Sequence, residues 1–271
     1  MKHPIGFCVQ PKAPEAASPT PAAQPETAAV PSVVRVYFPE RDRAYSYYND
    51  RFDLHVGDVV YVSGKLAGLP GHVAAVDYNF RIRLADYERV IGAADRNVRG
   101  TFYVSGTHML TLDHGVLPYA QVRSWFFPPE ADGEYAVGHG PGPTYTLDFL
   151  DQLSLPGETA GKGQACYAEG RVVYLSVDGT QGHAIVQGSA PHELTFTYTG
   201  GTVSALTCTC YETGLCKHGA ALLLQLRETV DFLREKHEEA FAASDRFAAV
   251  SKRVFSHFAM DGPVGGCITL T

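Results

Sequence analysis

No apolar run in this chain reaches the ~18 residues that a membrane-spanning helix needs, so no membrane partner is expected. Met1-Lys2-His3-Pro4 leads into proline and alanine instead of an apolar export core. The chain is therefore read as cytoplasmic, with thiols kept reduced and disulfides disfavoured. Basic charge is also scarce. Against 29 Asp and Glu stand 22 Lys and Arg, a net charge of −7 that argues against a strongly basic nucleic-acid protein. Signatures of catalysis are missing too: no complete phosphate-cradling loop, no Gly-x-Ser-x-Gly elbow and no paired-histidine metallohydrolase motif occur. Lys162 sits between Gly161 and Gly163 but lacks the rest of a phosphate loop. The expectation is a non-enzymatic protein.

What is present starts with a hydrophobic content of 45%, enough for a sizeable core or for two to three small domains. The charge is unevenly spread. Residues 33–99 carry ten basic side chains against nine acidic, whereas residues 100–163 carry two against seven.

The densest chemistry lies in Cys208-Thr209-Cys210 and Cys216-Lys217-His218, three of the six cysteines and a histidine within eleven residues. Four sulfur and nitrogen donors so close together suit tetrahedral zinc, Zn2+. A Cys208–Cys210 disulfide would be strained and would leave an odd thiol, so metal is favoured. The apolar run after His218 predicts that Cys216 and His218 start a helix, where partial positive charge favours a thiolate. With Cys208, Cys210, Cys216 and His218 all bound, no position is left for a catalytic water, so the ion would be structural. Three thiolates and a neutral imidazole leave one net negative charge, which Lys217 and the first helical amides are placed to offset.

This spacing resembles the SWIM zinc finger family, whose pattern is C-x-C, a variable gap and C-x-H. The resemblance also covers Ala165-Cys166-Tyr167, Gly170-Arg171-Val172, Val177-Asp178-Gly179 and Val186-Gln187-Gly188 upstream, and Gly219-Ala220-Ala221-Leu222-Leu223 downstream. It implies a structural zinc site in a small sheet-plus-helix module, found in proteins that handle DNA or beside domains that bind other proteins.

The expected architecture is α+β, in five parts. Residues 1–31, rich in Pro, Ala, Glu and Thr, read as a disordered tail. Residues 32–99 read as a small β-barrel. Gly57-Asp58, valines 60 and 62, the loop glycines 64, 68 and 71, and Val73 resemble the KOW motif of SH3-like barrels, with a loop one residue shorter than usual. Residues 100–163 read as a β-rich connecting segment, with strands at Thr101–Val104 and Val122–Phe127. Within it, His108, Asp113 and His114 read as turn residues, Gly138–Pro143 as a linker, and Thr146–Leu155 as a short helix. Residues 164–227 form the zinc module, an antiparallel meander of four strands followed by a helix carrying Leu222, Leu226, Val230 and Leu233 at helical spacing. Residues 228–271 complete that helix and add a second from Ser244, with Phe247, Val250, Val254 and Phe258 on one stripe. Cys166 is assigned to the core, and Cys8 and Cys267 are left as free thiols.

Phe80-Arg81-Ile82-Arg83-Leu84 alternates as a strand would, which predicts Arg81 and Arg83 on one face. With Arg41, Arg43, Tyr47 and Lys65 they make a candidate surface for DNA or RNA, pairing cations with phosphates and aromatic planes with bases. The competing reading is an ordinary exposed barrel face, and a protein partner suits the acidic middle and helical end equally. Elemental analysis of reduced protein should return one transition-metal ion per chain; a metal-free result would remove the metal reading.

Overall fold

The computed structural model describes residues 29–106, 108–112, 114–129, 142–152, 157–210, 212, 214–243, 246–260 and 268–270. The expected tail up to residue 28, Asp113, most of the 138–143 linker, Ser244, and the thiols Cys8 and Cys267 lie outside the described residues. The chain divides into two compact units, Met1–Ala93 and Ala94–Thr271. Together they mix strands and helices as an α+β chain does.

The first unit holds β1 (Ser32–Phe38), β2 (Arg43–Asn49), β3 (Val59–Val62), β4 (Gly71–Asp77) and β5 (Val90–Ala93), in the antiparallel order β2-β1-β4-β3-β5. Period-two alternation explains β1: Val34, Val36 and Phe38 are buried while Arg35 and Tyr37 are exposed. Val60, Val62, Val73 and Val90 join them in the core. The ladder does not close. One isolated bridge between Tyr48 and Arg89 and a 2.9 Å bond from Tyr48 N–H to the Glu88 carbonyl bring the two edge strands together at a point.

The expected strand over Phe80–Leu84 is not formed. The stretch is irregular, runs into a 3-10 turn at Leu84–Asp86, and leaves Leu84 50% exposed. Here β1 already has β2 and β4 as neighbours, and β5 occupies the free side of β3. Phe80 packs edge-on against Tyr48 instead, ring centroids 6.2 Å apart.

The second unit is built on β6 (Gly100–Ser105), β7 (Met109–Leu112), β8 (Tyr145–Thr146), β9 (Val172–Asp178), β10 (Gln181–Gln187), β11 (Pro191–Thr199), β12 (Thr202–Cys208), β13 (Arg246–Ser251) and β14 (Ile268–Leu270). They form one sheet, ordered β14-β6-β7-β13-β9-β10-β11-β12-β8, antiparallel except for the β14–β6 pair. The helices are α1 (Tyr119–Phe126), α2 (Gly157–Ala168), α3 (Lys217–Lys236), α4 (Glu238–Ala243) and α5 (Lys252–Phe255).

The meander β9–β12 runs as the turn residues predict. Gly200 and Gly201 both take positive φ in the β11–β12 turn, the backbone that a two-residue hairpin connection requires. Val172 to Val177 of β9 are buried without a break, because both faces of the sheet are covered. On one face Leu175, Ala184, Leu194, Phe196 and Val203 meet Leu222, Leu226 and Val230 of α3. On the other, Val173, Tyr174 and Ile185 meet Val122 and Trp125 of α1. Cys166 of α2 is buried in the α3-side core.

Two expectations give way here. Val122–Phe127 is helical, not extended: Pro118 caps α1, and Val122 and Trp125, three residues apart, are its buried pair. Aromatic density suggested a strand, but helical spacing with a proline entry prevailed. Of the stripe expected on a helix from Ser244, Phe247 and Val250 belong instead to β13, which inserts between β7 and β9, whereas Val254 lies in α5 and Phe258 in the helical turn after it. Phe247, Ala248, Ala249 and Val250 are all buried, and an unbroken apolar run satisfies a strand covered on both faces as well as one turn of helix. Residues 100–163 therefore contribute β6, β7 and β8 to the same sheet as the meander, and Leu147–Gln152 form a 3-10 turn where the short helix was expected.

A Cβ built on Gly182 of β10 would overlap the Phe196 ring across the pair. Gly182→Ala should therefore cost about 1–3 kcal/mol, measured by urea unfolding; an unchanged midpoint would mean that the ring has room to move.

Candidate metal centre

Cys208 ends β12, Cys210 follows it, Cys216 caps α3 and His218 is the second residue of that helix. One ligand atom from each residue lies within 4.8 Å of the other three. His218 Nδ1 stands 3.8 Å from Cys208 Sγ and 3.9 Å from Cys216 Sγ. Tetrahedral zinc with bonds of about 2.3 Å to sulfur and 2.0–2.1 Å to nitrogen separates its donors by roughly 3.5–3.8 Å. The four side chains thus fit a divalent ion with little adjustment, and the donor set favours a soft or borderline one such as zinc.

Each ligand is placed by a local cause. Cys216 has extended backbone and accepts a hydrogen bond from Gly219 N–H at 3.3 Å, acting as N-cap of α3. That leaves His218 on the first turn, 3% exposed and directed at the sulfurs. His192 of β11 stacks beside it with ring centroids 4.2 Å apart. Gly188 lies so near that a Cβ there would stand 3.2 Å from His218 Nε2. Across the start of α3 lies α2, whose Gly163 approaches Ala220 more closely than a side chain would permit.

Cys208 reaches the site through a β-bulge. From the turn, Thr199 pairs with Thr202, Tyr198 with Val203 and Thr197 with Ser204; the register then shifts, and Thr195 pairs with Thr207 and Leu194 with Cys208. Ala205, within the irregular stretch, has φ +50°, a left-handed conformation unusual for a residue with a Cβ.

Sharing a small volume, the sulfurs divide their protons unequally. The Cys216 thiol is pulled down to about 3, chiefly by the hydrogen bond from Cys208, against the effect of burial and with help from His218 and the Gly219 amide. Cys208 is pushed far up, first by holding that proton for Cys216 and then by burial. Cys210 rises as well, through burial. The cluster by itself therefore holds one thiolate and two thiols, and a bound ion would displace the two protons.

A cleft of about 240 Å³ opens beside Cys208 and Cys216, between Pro143, Tyr145, Leu206 and Leu215. The Tyr145 phenol is raised by burial and, secondarily, by the charge on Cys216.

The residues expected at a nucleic-acid face are distributed otherwise. Tyr47 is 6% exposed and packs its ring against Phe38, so it serves the core of the first unit. Arg41, Arg43, Lys65, Arg81 and Arg83 are exposed. Arg43 pairs with Phe38 at one end of β1, whereas Arg81 and Arg83 follow Asp77, which pairs with Val33 at the other end. Five residues of strand, about 17 Å, separate those two positions.

Residues to which pattern reading gave no role lie beside the ligands or one step out: His192 stacks on His218, Glu193 bonds Thr209, and Tyr119 and Arg123 of α1 bond Glu193. Strand alternation marks Glu193 as facing away from Leu194, and the register shift at the bulge sets it opposite Thr209, the residue between Cys208 and Cys210. Among the described residues no helix is long and apolar enough to cross a membrane. Comparison with protein-family models, curated proteins and solved structures finds no match.

The proton inventory has a measurable consequence. Both thiols with raised values are protonated at neutral pH, so metal binding should release about two protons and log affinity should climb by about two per pH unit between pH 7 and 8. Competition with a chromophoric chelator across that range reads the slope; a flat profile would contradict the assignment of protons.

Proposed function

We propose that this chain is a non-enzymatic zinc protein of SWIM type, in which Zn2+ held by Cys208, Cys210, Cys216 and His218 is structural and the protein acts in nucleic-acid transactions. The observation that carries the metal half is the convergence of four donors, three thiols and an imidazole, from a strand end and a helix start. A catalytic zinc keeps three protein ligands and an open place for water. Here the fourth protein donor fills that place, which supports a structural role. Ligation would tie the end of β12 to the first turn of α3, and the helix N-terminus and Lys217 would offset the thiolate charge.

The nucleic-acid half rests on the first unit as an SH3-like, KOW-type sheet with exposed Arg41, Arg43, Lys65, Arg81 and Arg83. Arg35 and Tyr37 are also exposed, on the solvent side of β1. DNA or RNA, with its repeating phosphates, is the ligand chemistry that suits separated arginines. A second reading draws on the same separation. A sparse, mixed face on a chain of net charge −7 also suits a protein-interaction adaptor docking through the zinc module and the C-terminal helices.

One experiment separates the two. Binding of the full chain to single- and double-stranded oligonucleotides should weaken as salt rises, with the log–log slope reduced by about two when Arg81 and Arg83 are changed to Ala. No binding at low salt, or binding indifferent to these arginines, would leave the adaptor reading standing.

A further inference from the structure

The hydrogen bonds around Thr209, the residue between the two cysteines of the C-x-C pair, show how the chain leaves the sheet. Its N–H donates to the Glu193 carbonyl at 3.0 Å, as the next rung of the β11–β12 ladder would. The return bond departs from the ladder: Glu193 N–H donates to the Thr209 hydroxyl Oγ1 at 3.1 Å instead of to a backbone carbonyl. A side chain has replaced the backbone acceptor at the point where β12 ends and the chain turns towards Cys210.

Glu193 is itself gripped from a different part of the chain. Arg123 of α1 donates from Nε to Oε1 at 2.8 Å and from Nη2 to Oε2 at 3.4 Å, and the Tyr119 hydroxyl of the same helix donates to Oε1. This ion pair is mostly buried, with the side chains of Arg123 and Glu193 17% and 21% exposed. Arg123 is further fixed by donating from Nη1 to the Pro128 carbonyl at 3.0 Å and by lying over the Phe127 ring. A neighbouring rung is also held, since the Thr195 and Thr207 hydroxyls meet at 2.7 Å across the same strand pair.

We infer that Thr209, Glu193 and Arg123 form a latch from α1 that sets the bend between Cys208 and Cys210 and so fixes the spacing of two metal-ligand sulfurs. None of the three touches the ion site; each acts through the backbone of the turn and is a positioning residue. In a strand, residues two positions apart share a face but stand about 6.7 Å apart along it, so ligand atoms within 4.8 Å of one another are brought together by a backbone that leaves strand geometry between them. The latch supplies that departure at a defined residue. Partners of this kind, one step out from the ligands, typically change metal affinity by 10–100-fold when removed. The site then depends on a helix outside residues 164–227, and that stretch would bind metal less well when isolated from α1. This inference rests on the metal-binding reading of the four ligands.

The test uses the full chain and cobalt(II), whose visible absorption reports tetrahedral thiolate ligation. Wild type should bind one cobalt(II) per chain with intense d–d bands. Thr209→Val keeps the shape and removes the hydroxyl acceptor; it should lower affinity at least tenfold and shift the bands, while Thr209→Ser restores both. Arg123→Ala should weaken binding similarly from a distance. Wild-type affinity and spectra in Thr209→Val and Arg123→Ala overturn the latch, including where metal-free melting falls, since the residues would then serve stability alone. If a valine or alanine variant does not fold, Glu193→Gln reads the same coupling with a milder change, and unaltered cobalt binding there overturns it too. Failure of wild type itself to bind cobalt(II) overturns the underlying metal reading together with the latch.

Discussion

The end of β12 and the beginning of α3 must arrive at one place, and most of the second unit serves that convergence. Cys208 is the last strand residue, Cys216 the helix cap and His218 on the first turn, so any relative shift of strand and helix pulls the donors apart. Seven residues between the two cysteines give the connection slack, and local sequence alone does not hold the elements in register. The sheet does. α3 lies on it through Leu222, Leu226 and Val230, packed against Leu175, Leu194, Phe196 and Val203. α2 presses on the start of α3 at Gly163, and His192 of β11 stacks on His218 from the sheet side.

This arrangement gives the two faces of the sheet different work. The α3 face carries the sulfurs and the imidazole over an apolar core. The α1 face carries a polar cluster in which Tyr119 stacks on His183, ring centroids 4.2 Å apart, and its hydroxyl joins Arg123 on Glu193. Glu193 and Leu194 are adjacent and point to opposite faces, so β11 connects the two layers through its backbone. The middle of the chain thereby becomes part of the unit that carries the candidate metal site: its strands pair into the sheet and its helix grips the strand that supports the four donors.

Much of the candidate metal centre was legible because its information is local. The C-x-C and C-x-H spacings, the apolar helix after His218 and the meander with its turn glycines are each encoded within a few residues of where they act. What escaped was set by distant partners. Phe247–Val250 reads equally as a helix turn or a buried strand, and the vacancy between β7 and β9 decides for the strand. Val122–Phe127 is aromatic enough to suggest extension, yet Pro118 and the burial of Val122 with Trp125 make it helical. Arg81 and Arg83 alternate as a strand would, but their stretch pairs with neither edge of the ladder. Tyr47 was grouped with cations by its sequence neighbourhood, whereas the pleat turns it inward.

The irregular residue Ala205 has a consequence for how this chain tolerates change. Counted in unbroken register from the Gly200-Gly201 turn, Cys208 would lie across from Glu193, the residue whose carboxylate faces α1. The register shift at the bulge places Cys208 opposite Leu194 and turns its sulfur to the side where α3 begins. Straightening the bulge with every residue kept would thus leave all the donors in the chain and still send one of them through the sheet to the wrong compartment. The left-handed backbone of a single alanine is the parity bit of the whole centre.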